Sequence, residues 1–387
     1  MNILLTNNRI KNFTGSEIDT VTIANYFISL NYNVDIFTLE YGEPLINILD
    51  KKVRIICYKT SDLLLSDYDL IWSHHFPLLD YVLFTKKIKA KYINYSCLSS
   101  FEPYEMMPIY YKYLSNITYL SNEAKKYFKS QKIDMHNFNF FPNYVYDNYF
   151  DNEKNIEGLK RICIVSNHIP KELIEAKKLL EDNKYIVDIY GSGYNETIVD
   201  SDLLNKYDLI ITIGKTVNYA LGLGIPVFCY DHFGGDLYIT KKNIKNSFDY
   251  NFSGRYKKIK LSSAEIYNYI ISNYNFAVKS IKYNKKFIKE NCSFENNIDK
   301  LLKKIFKLPQ IDCDSLYLNY GILKYYGELF VREISNRTII INDLQDINSK
   351  LNASNNELNN INTKLLKVCD ERLKLINDLR KDKKWKR

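Results

Sequence analysis

The residue types and spacings best suited to chemistry lie between Asp208 and Asp236, in DLIITIGKTVNYALGLGIPVFCYDHFGGD. In this span the pattern of strand, tight turn and helix occurs twice. Gly214-Lys215-Thr216 opens a helix, so backbone N–H groups and one cation converge on a single place, which suits a phosphate. Alone, that tripeptide reads as a plain helix start with a solvated lysine. At the next strand end stands Asp231-His232-Phe233-Gly234-Gly235-Asp236. Its two glycines let backbone approach a ligand closely, and Asp231 or Asp236 can take ligand hydroxyls. Together the two segments read as one site. Gly191-Ser192-Gly193 follows another strand, without a full G-x-G-x-x-G. In the first half, Gly15-Ser16-Glu17 precedes a helix, and His74-His75 follows a strand. A histidine there can act as general base or hold a hydroxyl; His74, nearer the strand end, is the stronger candidate, and His75 reads equally as a turn residue.

These residues need a frame that brings strand ends together. Short apolar strands are expected at 3–6, 34–38, 53–57, 70–72, 92–95 and 117–120, with helices over 18–30 and 122–130. After Pro142-Asn143 and a polar stretch at 147–158 the pattern restarts: strands at 161–166, 187–190, 208–213 and 227–230, helices at 172–181 and 216–223. The expected fold class is α/β: two Rossmann-like domains, 1–150 and 156–306, facing across a cleft. A helical connector covers 310–342 and a coiled-coil tail 343–387. In the tail Leu344, Leu351, Leu358, Leu365 and Leu379 share one heptad position, interrupted by Arg372. Ile347, Ile361, Val368 and Leu375 share the other, interrupted by Ser354. Such a seam suits a homo-oligomer through the coiled coil; a single amphipathic helix packed on the body is the plainer alternative.

Bulk properties set the limits. The chain has 387 residues, 46% hydrophobic, with a formal charge of +9 concentrated after residue 240 and in residues 380–387. A basic end can meet anionic lipid headgroups, though a solvated helix end is the commoner case. The 34 Tyr read as compositional bias, so single tyrosines are not taken as functional. Tyr and Lys are dispersed through both halves, which argues against nucleic-acid binding. The seven Cys are odd in number and lack C-x-x-C spacing, so they read as reduced and intracellular. Residues 1–6 read as a first strand rather than a signal peptide, and no run suits a membrane span. The expected location is cytoplasmic, with peripheral contact at the inner membrane face as a hypothesis. Asp67/Asp69, Asp200/Asp202 and Asp312/Asp314 each spell D-x-D, read as coincidence; no metal and no cofactor is expected.

The quoted segments resemble the GT-B glycosyltransferases, specifically glycosyltransferase family 4. Gly15-Ser16-Glu17 with Thr20 and Thr22 looks like that family's acceptor-side glycine loop, and DLIWSHH like its mid-domain strand with a histidine. Pro142-Asn143 looks like the pair before the domain crossover. IGKTVNYALGLGIPVFCYDHFGG with NFSGR at 251–255 looks like a subgroup of surface-polysaccharide transferases. The resemblance covers about residues 1–290. It implies a nucleotide-sugar donor on the second domain, a glycan or lipid-linked acceptor on the first, and reaction between them. By this resemblance Asn167 and His168 line the cleft, and Lys215 and Arg255 face the diphosphate. The binding set is then Gly15, Ser16, Asn167, His168, Gly191, Lys215, Thr216, Asp231, His232, Gly234, Gly235, Asp236 and Arg255, with His74 and Glu17 catalytic. The Glu that many members carry seven residues before the G-x-P proline is Tyr219 here. Two other readings stay open: a nucleotide-sugar epimerase on the same plan, and a non-catalytic scaffold with a decayed transferase fold.

Overall fold

The computed structural model describes residues 1–384 apart from Phe101, Asn152, Glu153, Asn155 and Glu196. Part of the 147–158 linker and the end of the basic run 380–387 therefore lie outside the described residues. So do the side chains of 379–384, Leu379 among them. The chain divides into two compact units, Met1–Val331 and Arg332–Arg387.

The first unit holds two main sheets. Strands β1 (Asn2–Thr6), β3 (Asn33–Thr38), β5 (Arg54–Cys57), β6 (Asp67–Ser73), β7 (Lys89–Cys97), β8 (Asn116–Tyr119) and β9 (Phe138–Phe140) form a parallel sheet in the order β5-β3-β1-β6-β7-β8-β9. Two-residue strands β2 (Arg9–Ile10) and β4 (Glu40–Tyr41) pair beside it. The second sheet has order β11-β10-β12-β13-β14, from β10 (Arg161–Val165), β11 (Ile186–Tyr190), β12 (Leu209–Thr212), β13 (Val227–Asp231) and β14 (Gly234–Tyr238). Successive strand residues point to opposite faces. Leu4, Ile71 and Ile93 thus join one buried cluster of the first sheet, while Ile3, Leu5, Leu70 and Trp72 join another. Cys163, Ile210 and Val227 do the same against Ile162, Ile164 and Ile211 in the second. Both faces are apolar because helices cover both, as parallel sheets require.

The helices are α1 (Gly15–Ser29), α2 (Phe76–Asp80), α3 (Asn122–Ser130), α4 (Lys171–Asp182), α5 (Ser201–Leu204), α6 (Lys215–Leu223), α7 (Ile244–Asp249), α8 (Ser263–Val278), α9 (Ile281–Cys292), α10 (Phe294–Ile305), α11 (Cys313–Tyr320) and α12 (Leu323–Lys384). Three features differ from the sequence expectation. Residues 234–238 form an antiparallel strand on β13, where the sequence suggested a ligand-facing loop. Helix α10 follows the second sheet in the chain, yet its Phe294, Ile298, Leu302 and Ile305 pack in the core of the first sheet. The connector and the tail share one helix, α12, which begins at Leu323 in the first unit and continues through the described part of the second. Among the described residues no helix is long and apolar enough to cross a membrane.

Candidate functional site

The carboxyl ends of parallel strands from both sheets converge. At the first sheet, the Thr6 hydroxyl donates to Ser73 Oγ (2.8 Å) and Asn7 Nδ2 donates to Thr20 Oγ1 (2.9 Å). These bonds tie α1 to the ends of β1 and β6. His74 follows β6 fully buried, and its Nε2 lies 3.5 Å from Asp19 Oδ2 in α1. Among the described residues neither ring nitrogen of His74 has a hydrogen-bond partner. Burial, reinforced by the nearby Lys215 cation, pushes the His74 pKa down to about 3. The imidazole is therefore neutral at ordinary pH. Burial likewise raises the Asp19 carboxyl, an effect that Lys215 opposes.

Lys215 reaches the same place from the second sheet. It begins α6 after β12, and the helix is capped by Gly214 at φ 66, ψ −137. That backbone geometry is essentially restricted to glycine. The Lys215 ammonium stands 4.1 Å from the centre of the Tyr144 ring and 5.8 Å from that of Tyr219. Burial pulls its pKa down and Asp19 pulls it up. A half-buried cation, a helix N-terminus, a carboxyl and an unpartnered imidazole therefore share one location. Thr216 is half-buried next to Lys215.

The remaining candidates divide into two groups. On the second sheet, Ser166 Oγ donates to Asp231 Oδ2 (2.9 Å), Asp231 Oδ1 accepts from the His232 N–H (2.7 Å), and the His168 and His232 rings lie 5.4 Å apart. Asn167 Oδ1 accepts from the Ser192 N–H at 2.9 Å. These groups line the ends of β10 and β13. Three glycines are required by the protein's own backbone. A Cβ on Gly191 would sit 2.1 Å from the Ser166 carbonyl, on Gly234 2.6 Å from that of Ile259, and on Gly235 2.1 Å from that of Cys229. The Gly234-Gly235 pair thus closes the β13–β14 hairpin. Asp236, fully buried, accepts from the Lys257 N–H at 2.9 Å while its Oδ2 is unpartnered among the described residues.

Two candidates are otherwise engaged. Glu17 accepts from the N–H groups of Lys11 (2.6 Å) and Asn12 (2.8 Å) and from the Thr14 hydroxyl (2.9 Å). The carboxylate expected to be catalytic is thus turned onto its own loop, and it shapes the entry to α1 at Gly15 and Ser16. Arg255 forms a bidentate pair with Glu123 of α3 (2.6 Å at Nη2) and lies over Phe233. It joins the two halves of the first unit, where the resemblance placed it on a diphosphate.

Sequence reasoning missed Asp19 and Tyr144 at the site, and also the buried acid Glu105, which feels the Asp19 charge. Asp19 stands one helical turn beyond Gly15, which is the one signal that pointed to it. Glu105 is buried, and burial pushes its carboxyl up to about 8. The D-x-D pairs have structural uses. Asp69 pairs with Lys91 (2.7 Å) and Asp314 with Lys89 (3.1 Å), while Asp200 and Asp312 cap α5 and α11. Among the described residues no group of three or more His, Cys, Asp or Glu is placed to hold a metal ion. A cavity of about 580 Å³ opens at the opposite, amino ends of the first sheet, around Asn33, Asp35, Arg54 and Tyr68. Ligands of such sheets bind at the carboxyl ends, so this cavity lies away from the chemistry.

No protein-family profile and no curated protein sequence matches the chain. Solved structures do. HepE of Anabaena, in complex with UDP and glucose, superposes with TM-score 0.56 at 12% identity, over 80% of this chain and all of that one. Sucrose-phosphate synthase of Thermosynechococcus elongatus superposes with TM-score 0.52 at 10% identity, over 79% of this chain and 99% of that one. The fold is that of the GT-B glycosyltransferases. In this chain Asp19, His74 and Lys215 meet where β6, α1 and α6 bring strand ends of the two sheets together.

Proposed function

We propose that the chain is a glycosyltransferase of the family-4 kind. It moves a sugar from a nucleotide-sugar to a glycan or lipid-linked acceptor in cell-surface polysaccharide synthesis, without a metal ion. The observation that carries the reading is the convergence of Lys215, the α6 N-terminus, His74 and Asp19 at carboxyl strand ends. The crystallisation of HepE with UDP and with UDP-glucose supports a nucleoside diphosphate as the leaving group.

Transfer breaks the bond between the sugar's anomeric carbon and the diphosphate oxygen, and joins that carbon to an acceptor hydroxyl oxygen. Negative charge grows on the leaving diphosphate. Lys215 and the free N–H groups of α6 stabilise it in a partly desolvated place where such contacts are strongest. A diphosphate would add a second anion beside Asp19 at this cation. On the other side, neutral His74, with Asp19 beside it, can accept a hydrogen bond from the acceptor hydroxyl and orient it, while the hydroxyl's proton passes to the leaving diphosphate oxygen. The low pKa suits holding and orienting that hydroxyl better than removing its proton outright. Asn167, His168, Asp231 and His232 would contact the donor, and the enzyme would work in the cytoplasm with loose contact to the inner membrane face.

The test is a thermal-shift panel of UDP-, GDP-, dTDP- and CMP-sugars and free nucleotides, on wild type and Lys215→Ala. Stabilisation by one nucleotide class, lost in the variant, is expected. A folded wild type that responds to none of them would overturn the reading in favour of a scaffold.

A further inference from the structure

The second unit carries an apolar seam along α12. Leu344, Ile347, Leu351, Leu358, Ile361 and Leu365 expose between 46% and 60% of their surface. They recur at spacings of three and four, broken once where Ser354 takes the position between Leu351 and Leu358, and this is the period at which helices supercoil about each other. Leu366 and Leu373 are exposed beside this stripe, but it is the longest apolar run on the helix and calls for a partner, and the charges that flank it say which.

One flank of the seam, the residue before each leucine position, reads Asp343, Lys350, Glu357, Lys364, Glu371 and Asp378, alternating in sign up to Glu371. The other flank reads Asn348, Asn355, Asn362, Cys369 and Ile376, all uncharged. In a parallel pair the first flank of one helix faces the second flank of its partner. Every charge would then meet a neutral side chain, and Arg372 would stack on a second Arg372 in the core. In an antiparallel pair like flank faces like flank. Centred between Leu358 and Ile361, Lys350 of one copy meets Glu371 of the other and Glu357 meets Lys364, each twice by two-fold symmetry. Sliding by one heptad in either direction brings Lys onto Lys and Glu onto Glu. The centred register also packs Leu351 on Val368 and Leu344 on Leu375, and sets Arg372 against Ile347. On the neutral flank it joins Ile341 to Ile376, themselves 45% and 48% exposed. Asp343 then faces Asp378 near the ends, one like-charge contact against two complementary ones. Lys350 has a neighbour in its own helix, Asp346 at 3.9 Å, but both are 80% exposed and such a pair exchanges readily.

We propose that α12 pairs antiparallel with α12 of a second copy of this chain, in the register centred between Leu358 and Ile361. The inference does not depend on the transferase reading. Sedimentation of the full chain should give a dimer of the 45.8 kDa protomer. Lys350→Glu should weaken that dimer about tenfold, because each substitution is felt twice, and Lys350→Glu with Glu371→Lys should restore it. A parallel pair would be indifferent to the first change. Orientation is read by mixing two single-cysteine variants, Leu351→Cys and Val368→Cys, each carrying Cys369→Ser to remove the exposed native thiol. A disulfide-linked species only in the mixture is expected. Cross-linking of either variant with itself, a monomer at micromolar concentration, or a charge swap without rescue would each overturn the proposal.

Discussion

At the residue scale the site is built from groups kept out of their ordinary protonation behaviour by burial. Glu105 shows how this couples to stability. Its carboxyl rises from an ordinary 4.5 to about 8, first through burial and against a hydrogen bond from the Ser99 N–H. Between those values the folded chain keeps a proton that the unfolded chain has released. Its contribution to stability is therefore full below pH 4.5 and is lost as pH rises toward 8. Glu105→Gln should flatten that slope and stabilise the protein by roughly 1–3 kcal/mol at pH 9, read by urea denaturation across pH. His74 has the opposite sign: its stabilisation is present above 6.5 and is lost as pH falls toward about 3. Its two unpartnered ring nitrogens carry a desolvation cost without a matching bond. His74→Leu should thus raise Tm by a few degrees while lowering transfer by about a hundredfold or more, a combination that marks a residue retained for function.

At the element scale, a strand delivers each group and the following helix start aims it. Gly214 is the sharpest case, since among the described residues nothing lies within 4 Å of where its Cβ would be and its backbone conformation is what resists substitution. Gly214→Ala should cost about 1–3 kcal/mol in chemical denaturation and should weaken nucleotide stabilisation with it, because Lys215 begins the helix. An unchanged denaturation midpoint would mean that the turn relaxes freely. The β13–β14 hairpin was not legible because Gly-Gly-Asp suits a ligand loop and a tight strand return equally well. What decides for the return is space: Cys229 and Ile259 carbonyls press on the two glycines from the chain's own side.

At the scale of the whole molecule, the first unit is knitted by contacts between residues far apart in sequence. Arg255 binds Glu123, Asn122 Nδ2 donates to Asp249 (2.6 Å), and α10 returns to the first sheet. The Arg255–Glu123 pair is about one quarter exposed, so a double-mutant cycle should show a coupling of no more than about 1 kcal/mol. A coupling several times larger would indicate that the pair holds the two sheets in place. A chain ending at Val331 should keep its far-UV dichroism per body residue and melt within about 3 °C of the full chain, since the side chains removed are largely exposed.

Local pattern alone determined the two series of buried strands, the helix start at Gly214, the heptads of the tail and the candidates His74 and Lys215. Each follows from periodicity or from a residue type with few conformational uses, and those are properties of neighbours in the chain. The tertiary structure decided which candidates are free to act. Glu17 and Arg255 carry the right chemistry, but partners brought in by folding engage them, while Asp19, an ordinary helix residue in the sequence, is placed against His74. The paired uses of the D-x-D aspartates came to light the same way. Pairing of side chains tens to hundreds of residues apart is set by how sheets and helices pack, and no short window of sequence contains it.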